Sequence, residues 1–219
     1  MAGVMSDPES WRIKAIGGRF AWLDDYADGW QFGETGFLKA ICDRIGVDQA
    51  VEIGAGDGDT LPLTLKFLHD QGVPTLLFEK DKESRNRLRL HFPLAEVRGE
   101  WLLDKPAVSS VSTSACVVID VDSVDYHIAE SIACKYLDGS PKVICIEHYD
   151  HCGPNARDAY GVPPPWLLGQ QLAEGGFIIQ AGSAEIEDMM RRYCYVLAGV
   201  SRINSVYVRS DLIGALEGC

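Results

Sequence analysis

Val51-Glu52-Ile53-Gly54-Ala55-Gly56-Asp57-Gly58-Asp59-Thr60 is a short apolar run that ends in a carboxylate and a glycine-rich turn. A helix-like segment, Leu61 to His69, follows at once. Only glycine lets backbone approach a nucleotide-like ligand with no side chain in the way. The spacing is G-x-G-x-G, and the last glycine of a dinucleotide fingerprint is replaced by Asp59. No Gly-Lys-Ser/Thr follows, so the turn is not a P-loop. Acids beside the turn repel a pyrophosphate and suit a cation. Among ligands the pattern favours S-adenosylmethionine, whose sulfonium and ammonium are both positive; a ligand-free glycine turn stands beside it as the alternative.

Outward from this turn, strands alternate with helices. Ala50 to Ile53 reads as a strand, with Leu61, Leu65 and Leu68 striping the helix behind it and Pro62 in the first turn. Thr75 to Phe78 is a second strand ending in Glu79, and a polar helix runs from Asp81 to about Phe92. Glu96 to Arg98 is a weaker strand before Gly99-Glu100. Ala115 to Ile119 ends in Asp120-Val121-Asp122, followed by a helix carrying Val124, Ile128, Ile132 and Tyr136. Lys142 to Ile146 is a fifth strand, ending in Glu147. Near-continuous apolar strands between amphipathic helices imply a parallel sheet covered on both faces.

Asn155 to Gln170 reads as a Pro/Gly-rich loop, Ser183 to Arg192 as a helix, and Tyr195 to Gly199 with Ser205 to Arg209 as two closing strands. The expected fold is a Rossmann-like, doubly wound, mostly parallel sheet ending in an antiparallel hairpin, which is the class I methyltransferase architecture. Residues 1–46 read as a leader, with a helix from Glu34 to Ile45, packed on a domain of residues 47–219. Leader aromatics such as Trp11, Phe20, Trp22, Tyr26, Trp30 and Phe32 are either core or a lid over the site.

The acids Glu52, Glu79, Asp120 and Glu147 all fall at strand ends. Ligands of open α/β sheets bind outside those carboxyl ends, so the acids converge on one crevice. Glu79 stands where a dinucleotide-type site holds ribose hydroxyls; otherwise it is a helix-start carboxylate. Glu52 either accepts from a methionine ammonium or holds amides of the turn. Asp120, Asp122 and Asp125 crowd one loop, as general base, as Mg²⁺-type oxygen ligands, or as helix caps. Cys145, His148, His151 and Cys152 lack the spacing of a structural zinc site, and no metal is expected. His148 is better placed as a base or orienter on the acceptor side.

The 219 residues are 47% hydrophobic and 24% charged, the balance of one globular domain. A net charge of −12 argues against a broad nucleic-acid footprint, and Arg85 to Arg89 read as a solvated helix face. Met1 to Ser10 lacks signal-peptide blocks, and no apolar run approaches the ~20 residues that span a bilayer. Seven scattered cysteines fit reduced thiols in a cytoplasm. No membrane contact is expected, and the oligomeric state is not legible.

Val51 to Gly58 resembles motif I of class I S-adenosylmethionine-dependent methyltransferases. Ile119 to Tyr126, Val143 to Tyr149, Gly153-Pro154 and Asn204 to Leu212 resemble a branch related to FkbM-like O-methyltransferases. That branch usually has Asp-Gly-Asn-Asp-Tyr where this chain has Asp122-Ser123-Val124-Asp125-Tyr126, and Glu-Tyr-Asn at Glu147-His148-Tyr149. Both departures fall on the acceptor side. The resemblance implies methyl transfer to a small-molecule or sugar-like hydroxyl. Gly54, Ala55, Gly56, Asp57 and Gly58 would cradle the methionine part and Glu79 the ribose. Glu100 would lie near the adenine, and Asp120 and the residues after it would face the methyl. A catalytically silent Rossmann-like binding or scaffold protein is the alternative, ahead of a nucleotide-dependent oxidoreductase.

Overall fold

A computed structural model describes residues 11–28, 32–60, 62–99, 109–121, 124–134, 140–148, 171–172, 176–177 and 181–217. Five strands run parallel: β2 (Gln49–Ile53), β3 (Thr75–Phe78), β4 (Glu96–Arg98), β5 (Ala115–Ile119) and β6 (Val143–Glu147). Numbered in chain order, β1 is Lys14–Ala15, β9 is Tyr195–Val200 and β10 is Asn204–Arg209. The sheet order is β1-β9-β10-β6-β5-β2-β3-β4, with β10 antiparallel to both β6 and β9. The parallel part of the sheet starts at β2, winds outward to β4, then returns to the other side of β2 through β5. That reversal puts the topological switch point between β2 and β5, beside the glycine turn.

Helix α1 (Glu34–Ile45) buries Leu38 and Ile41, and a positive φ of 62° at Gly46 ends it. Helix α3 (Lys82–His91) starts at Asp81, whose Oδ2 accepts from the Ser84 N–H at 2.7 Å. Helices α4 (Asp125–Ala133) and α5 (Ser183–Arg192) cover one face of the sheet; the leader, α1 and the terminal helix α6 (Ile213–Leu216) cover the other. Every residue of β3, β5 and β6 is buried, which explains their unbroken apolar runs.

The structure departs from expectation at three places. The stretch from Leu61 to His69 is not one helix: only Lys66–Asp70 (α2) is helical, and Leu61 lies outside the described residues. Leu65 and Leu68 are buried as the stripe predicts, and so is Leu63, which was not part of it. The N–H groups of Thr64 and Leu65 bond the Glu52 carboxylate, and Asp57 holds those of Asp59 and Thr60, so non-helical turns form first. Tyr136 and the loop from Asn155 to Gln170 lie outside the described residues.

The second departure is β1, which pairs Lys14 with Val200 and Ala15 with Gly199. Two residues carry no periodicity, so the strand is set by its partner. Gly199 also gives Phe37 room, since a Cβ there would lie 2.4 Å from its ring. Third, a small hairpin joins β7 (Gln171–Leu172) to β8 (Gly176–Phe177). Among the leader aromatics Phe20 is buried, Trp11 stacks on Phe32, and Tyr26 is half exposed; Trp30 lies outside the described residues.

Candidate functional site

Gly54 leaves β2 at a φ of 83°, and its N–H donates to the carbonyl of Phe78 at 2.9 Å. A Cβ at Gly54 would lie 1.7 Å from the carbonyl oxygen of Asp120. The glycine is therefore required where the ends of β2 and β5 touch. Gly56 (φ 61°) and Gly58 (φ 73°) continue the turn. Gly58 has a packing duty as well, because a Cβ there would meet Phe92 at 2.6 Å and Leu88 at 3.0 Å on the α3 side. Ala55 is buried while Gly54 is exposed, so the turn shows backbone to the crevice.

Glu79 closes the turn from the next strand. Its Oε2 accepts from the Gly56 N–H at 2.9 Å and its Oε1 from the Asp81 N–H at 2.7 Å. It is half-buried, with lone pairs left for a ligand hydroxyl. Asp57 is spent on the turn itself. Its Oδ1 accepts from the N–H groups of Asp59 and Thr60, and its Oδ2 takes the Thr60 hydroxyl and Arg87.

Glu52 is buried beneath the turn, with Oε1 accepting from the Leu65 N–H at 2.5 Å and Oε2 from the Thr64 N–H at 3.2 Å. Burial pushes its carboxyl up to about 7; the two N–H groups oppose that rise and nearby Asp120 adds to it. Of the two roles read from the sequence, the holding of backbone amides is the one this geometry displays. The N–H of Asp120 donates to the carbonyl of Ile53 at 2.9 Å, which fixes the acid at the switch point. Asp125 is fully buried and turns back, its Oδ1 accepting from the Val121 N–H at 2.9 Å. Asp122 and Glu100 lie outside the described residues.

The side read from the sequence as the acceptor side is built by β6 and β10. Asn204 faces Glu147 in the ladder, and the N–H of His148 donates to the carbonyl of Ile203 at 2.7 Å. Glu147 and His148 are both buried. Sequence reasoning missed a further acid here. Glu34, at the first turn of α1, is fully buried; its Oε2 accepts from the Phe32 N–H at 2.7 Å and its Oε1 from Asn204 Nδ2 at 3.3 Å.

The thiol of Cys145, on the α1 face of the sheet, registers this convergence. Burial raises it first, then the fields of Glu34, Asp120, Glu52 and Glu147. Acidic groups from α1, β2, β6 and the residue after β5 thus lie near this thiol, two of them, Glu34 and Glu52, already accepting from the protein's own N–H groups. Among the described residues no group of three or more His, Cys, Asp or Glu is arranged to hold a metal ion; His151 and Cys152 lie outside them. Arg87 and Arg89 of α3 are exposed, as expected of a solvated helix face, while Arg87 pairs with Asp57 at 3.0 Å and Arg89 donates to the carbonyl of Val97.

No helix among the described residues is long and apolar enough to cross a membrane. No family model and no curated protein matches the chain. Solved structures do. CalS10 from Micromonospora echinaspora, an amino pentose methyltransferase solved with bound SAM, is 12% identical with a TM-score of 0.54, over 89% of this chain and 97% of that one. DesVI from Streptomyces venezuelae is 14% identical with a TM-score of 0.51, over 84% and 92%. KedS8 from Streptoalloteichus sp ATCC 53650, a sugar N-methyltransferase, is 13% identical with a TM-score of 0.50, over 80% and 86%. At these identities the likeness is one of fold: a mostly parallel sheet closed by an antiparallel hairpin, in the class I methyltransferase architecture.

Proposed function

We propose that this protein transfers a methyl group from S-adenosylmethionine to a small-molecule or sugar-like hydroxyl. The observation that carries the reading is the exposed glycine turn at the switch point, held by Glu79 and bordered by buried carboxylates. Gly54 to Gly58 would hold the methionine part, with Glu52 bracing the Thr64–Leu65 backbone beneath them, Glu79 the ribose and Glu100 the adenine side. When bound, the sulfonium supplies an activated methyl and its own leaving group. This chain's residues then position the acceptor in line, keep water out and take the hydroxyl proton. We assign proton removal and acceptor orientation to Asp120, Asp122 and His148, which follow adjacent strands β5 and β6. The sugar-like hydroxyl comes from the family resemblance; CalS10, an amino pentose methyltransferase, and KedS8, a sugar N-methyltransferase, support the sugar-like part and not the hydroxyl. A kinship with FkbM-like O-methyltransferases rests on Ile119 to Tyr126 and Asn204 to Leu212.

The test is label transfer from methyl-labelled cofactor into a metabolite and macromolecule extract. Parent protein should label an acceptor, and Asp120→Asn or His148→Ala should lower turnover by roughly 10²–10⁴ while cofactor affinity changes far less. Undiminished labelling in both variants would remove these residues from catalysis. Binding without any transfer by the parent would instead favour a silent binding or scaffold protein.

A further inference from the structure

Helix α3 carries Arg85, Arg87 and Arg89, and the first of these does something the other two do not. The Arg85 guanidinium donates to the carbonyl of Glu79 at 2.9 Å and to the carbonyl of Lys80. It also lies against Gly99, where a Cβ would stand 2.8 Å from its Cζ. One half-buried side chain therefore touches both the turn after β3 and the end of β4. The backbone already links the two, since the Glu79 N–H donates to the carbonyl of Arg98 at 3.0 Å. Glu79 in turn bridges the N–H groups of Gly56 and Asp81 through its two carboxylate oxygens.

We propose that Arg85 is a positioning residue for nucleoside recognition: it fixes the Glu79–Lys80 carbonyls and thereby aims the Glu79 carboxylate at the glycine turn. Its guanidinium reaches two carbonyls and a glycine face together, a geometry that a lysine ammonium on a flexible stem reproduces only in part. Without it, the turn after β3 keeps its backbone bond to Arg98 but loses the brace on its second peptide. Glu79 would then sample orientations that no longer meet a ribose. The proposal rests on the cofactor reading above, and two measurements separate their fates.

The first needs no ligand. Amide hydrogen exchange at Gly56 and Asp81, whose N–H groups bond Glu79, should accelerate in Arg85→Ala while the amides of β2 and β5 keep their protection. Unchanged exchange at those two sites would overturn the proposal whatever the protein binds. The second is calorimetric titration with S-adenosylhomocysteine in a double-mutant cycle with Glu79→Gln. Arg85→Ala alone should weaken binding by about tenfold, the scale of a lost charge-assisted hydrogen bond, with Arg85→Lys in between. In the Glu79→Gln background the same change should cost less than about twofold, because its route to the ligand is gone. Penalties that simply multiply, or parent-like affinity in Arg85→Ala, would show that Arg85 does not act through Glu79. A parent protein that fails to bind the probe would sink the cofactor reading, leaving the exchange data to judge the brace alone.

Discussion

A carboxylate buried at a strand end, as Glu52 is, keeps its charge only where N–H groups replace the lost water. Leu65 and Thr64 supply two, yet burial prevails and the carboxyl rises from 4.5 to about 7. The folded state then binds a proton more tightly than the unfolded chain does. Its stabilising contribution is full below pH 4.5, falls as pH rises, and is gone above about 7. Between pH 5.5 and 8 that loss should be about 2 kcal/mol. Urea unfolding of parent and Glu52→Gln across this window should therefore give a parent whose stability declines more steeply by that amount. The slope is the readout, because glutamine cannot accept from both N–H groups and shifts the intercept too. Parallel slopes would mean that Glu52 titrates near its ordinary value. Glu34 marks where residue-level reading stopped: its partner Asn204 lies far along the chain, and no local spacing connects them.

The glycine turn owes its shape to neighbouring elements as much as to its own glycines. Asp57 offers two contrasting interactions for comparison. The ion pair to Arg87 has an arginine side chain 56% exposed, so water and salt screen it. The bonds from the Asp59 and Thr60 N–H groups and the Thr60 hydroxyl are what keep the turn closed. Thermal or urea unfolding should therefore show Arg87→Ala costing under about 0.5 kcal/mol and Asp57→Ala about 1–2 kcal/mol. The reverse order would make the α3 ion pair the main brace. Elements were legible in the sequence where burial is two-sided, as at 75–78 and 115–119, and where one helix face is buried, as at 183–192; these three, and the more exposed 96–98, have the observed bounds. Leu61 to His69 misled because its leucines are spaced as in a helix, while Glu52 claims the Thr64 and Leu65 amides and Asp57 those of Asp59 and Thr60 just before it. Strand β1 was illegible because two residues have no pattern, and only pairing with β9 defines them.

At the scale of the whole molecule, the sheet order converts separate strand ends into one crevice, and the test of that crevice is what it binds. A net charge of −12 and the buried carboxylates favour a sulfonium cofactor over a dinucleotide pyrophosphate. S-adenosylhomocysteine keeps the ammonium, the ribose and the adenine, so it should reach the same contacts. At ~100 times its dissociation constant it adds about 2.7 kcal/mol to a native state that it alone recognises. For a chain of this length that corresponds to roughly 5–10 °C in Tm. NAD should give no comparable shift. Gly56→Val places a branched side chain at a φ of 61°, in a region that favours glycine, and in the crevice itself. That variant should lose the ligand-induced shift, with the unliganded melt showing how much the strain costs the fold on its own. Equal ligand shifts in parent and variant would exclude the turn as the binding surface. A larger shift with NAD would return the protein to the dinucleotide class despite Asp59 and the closing hairpin.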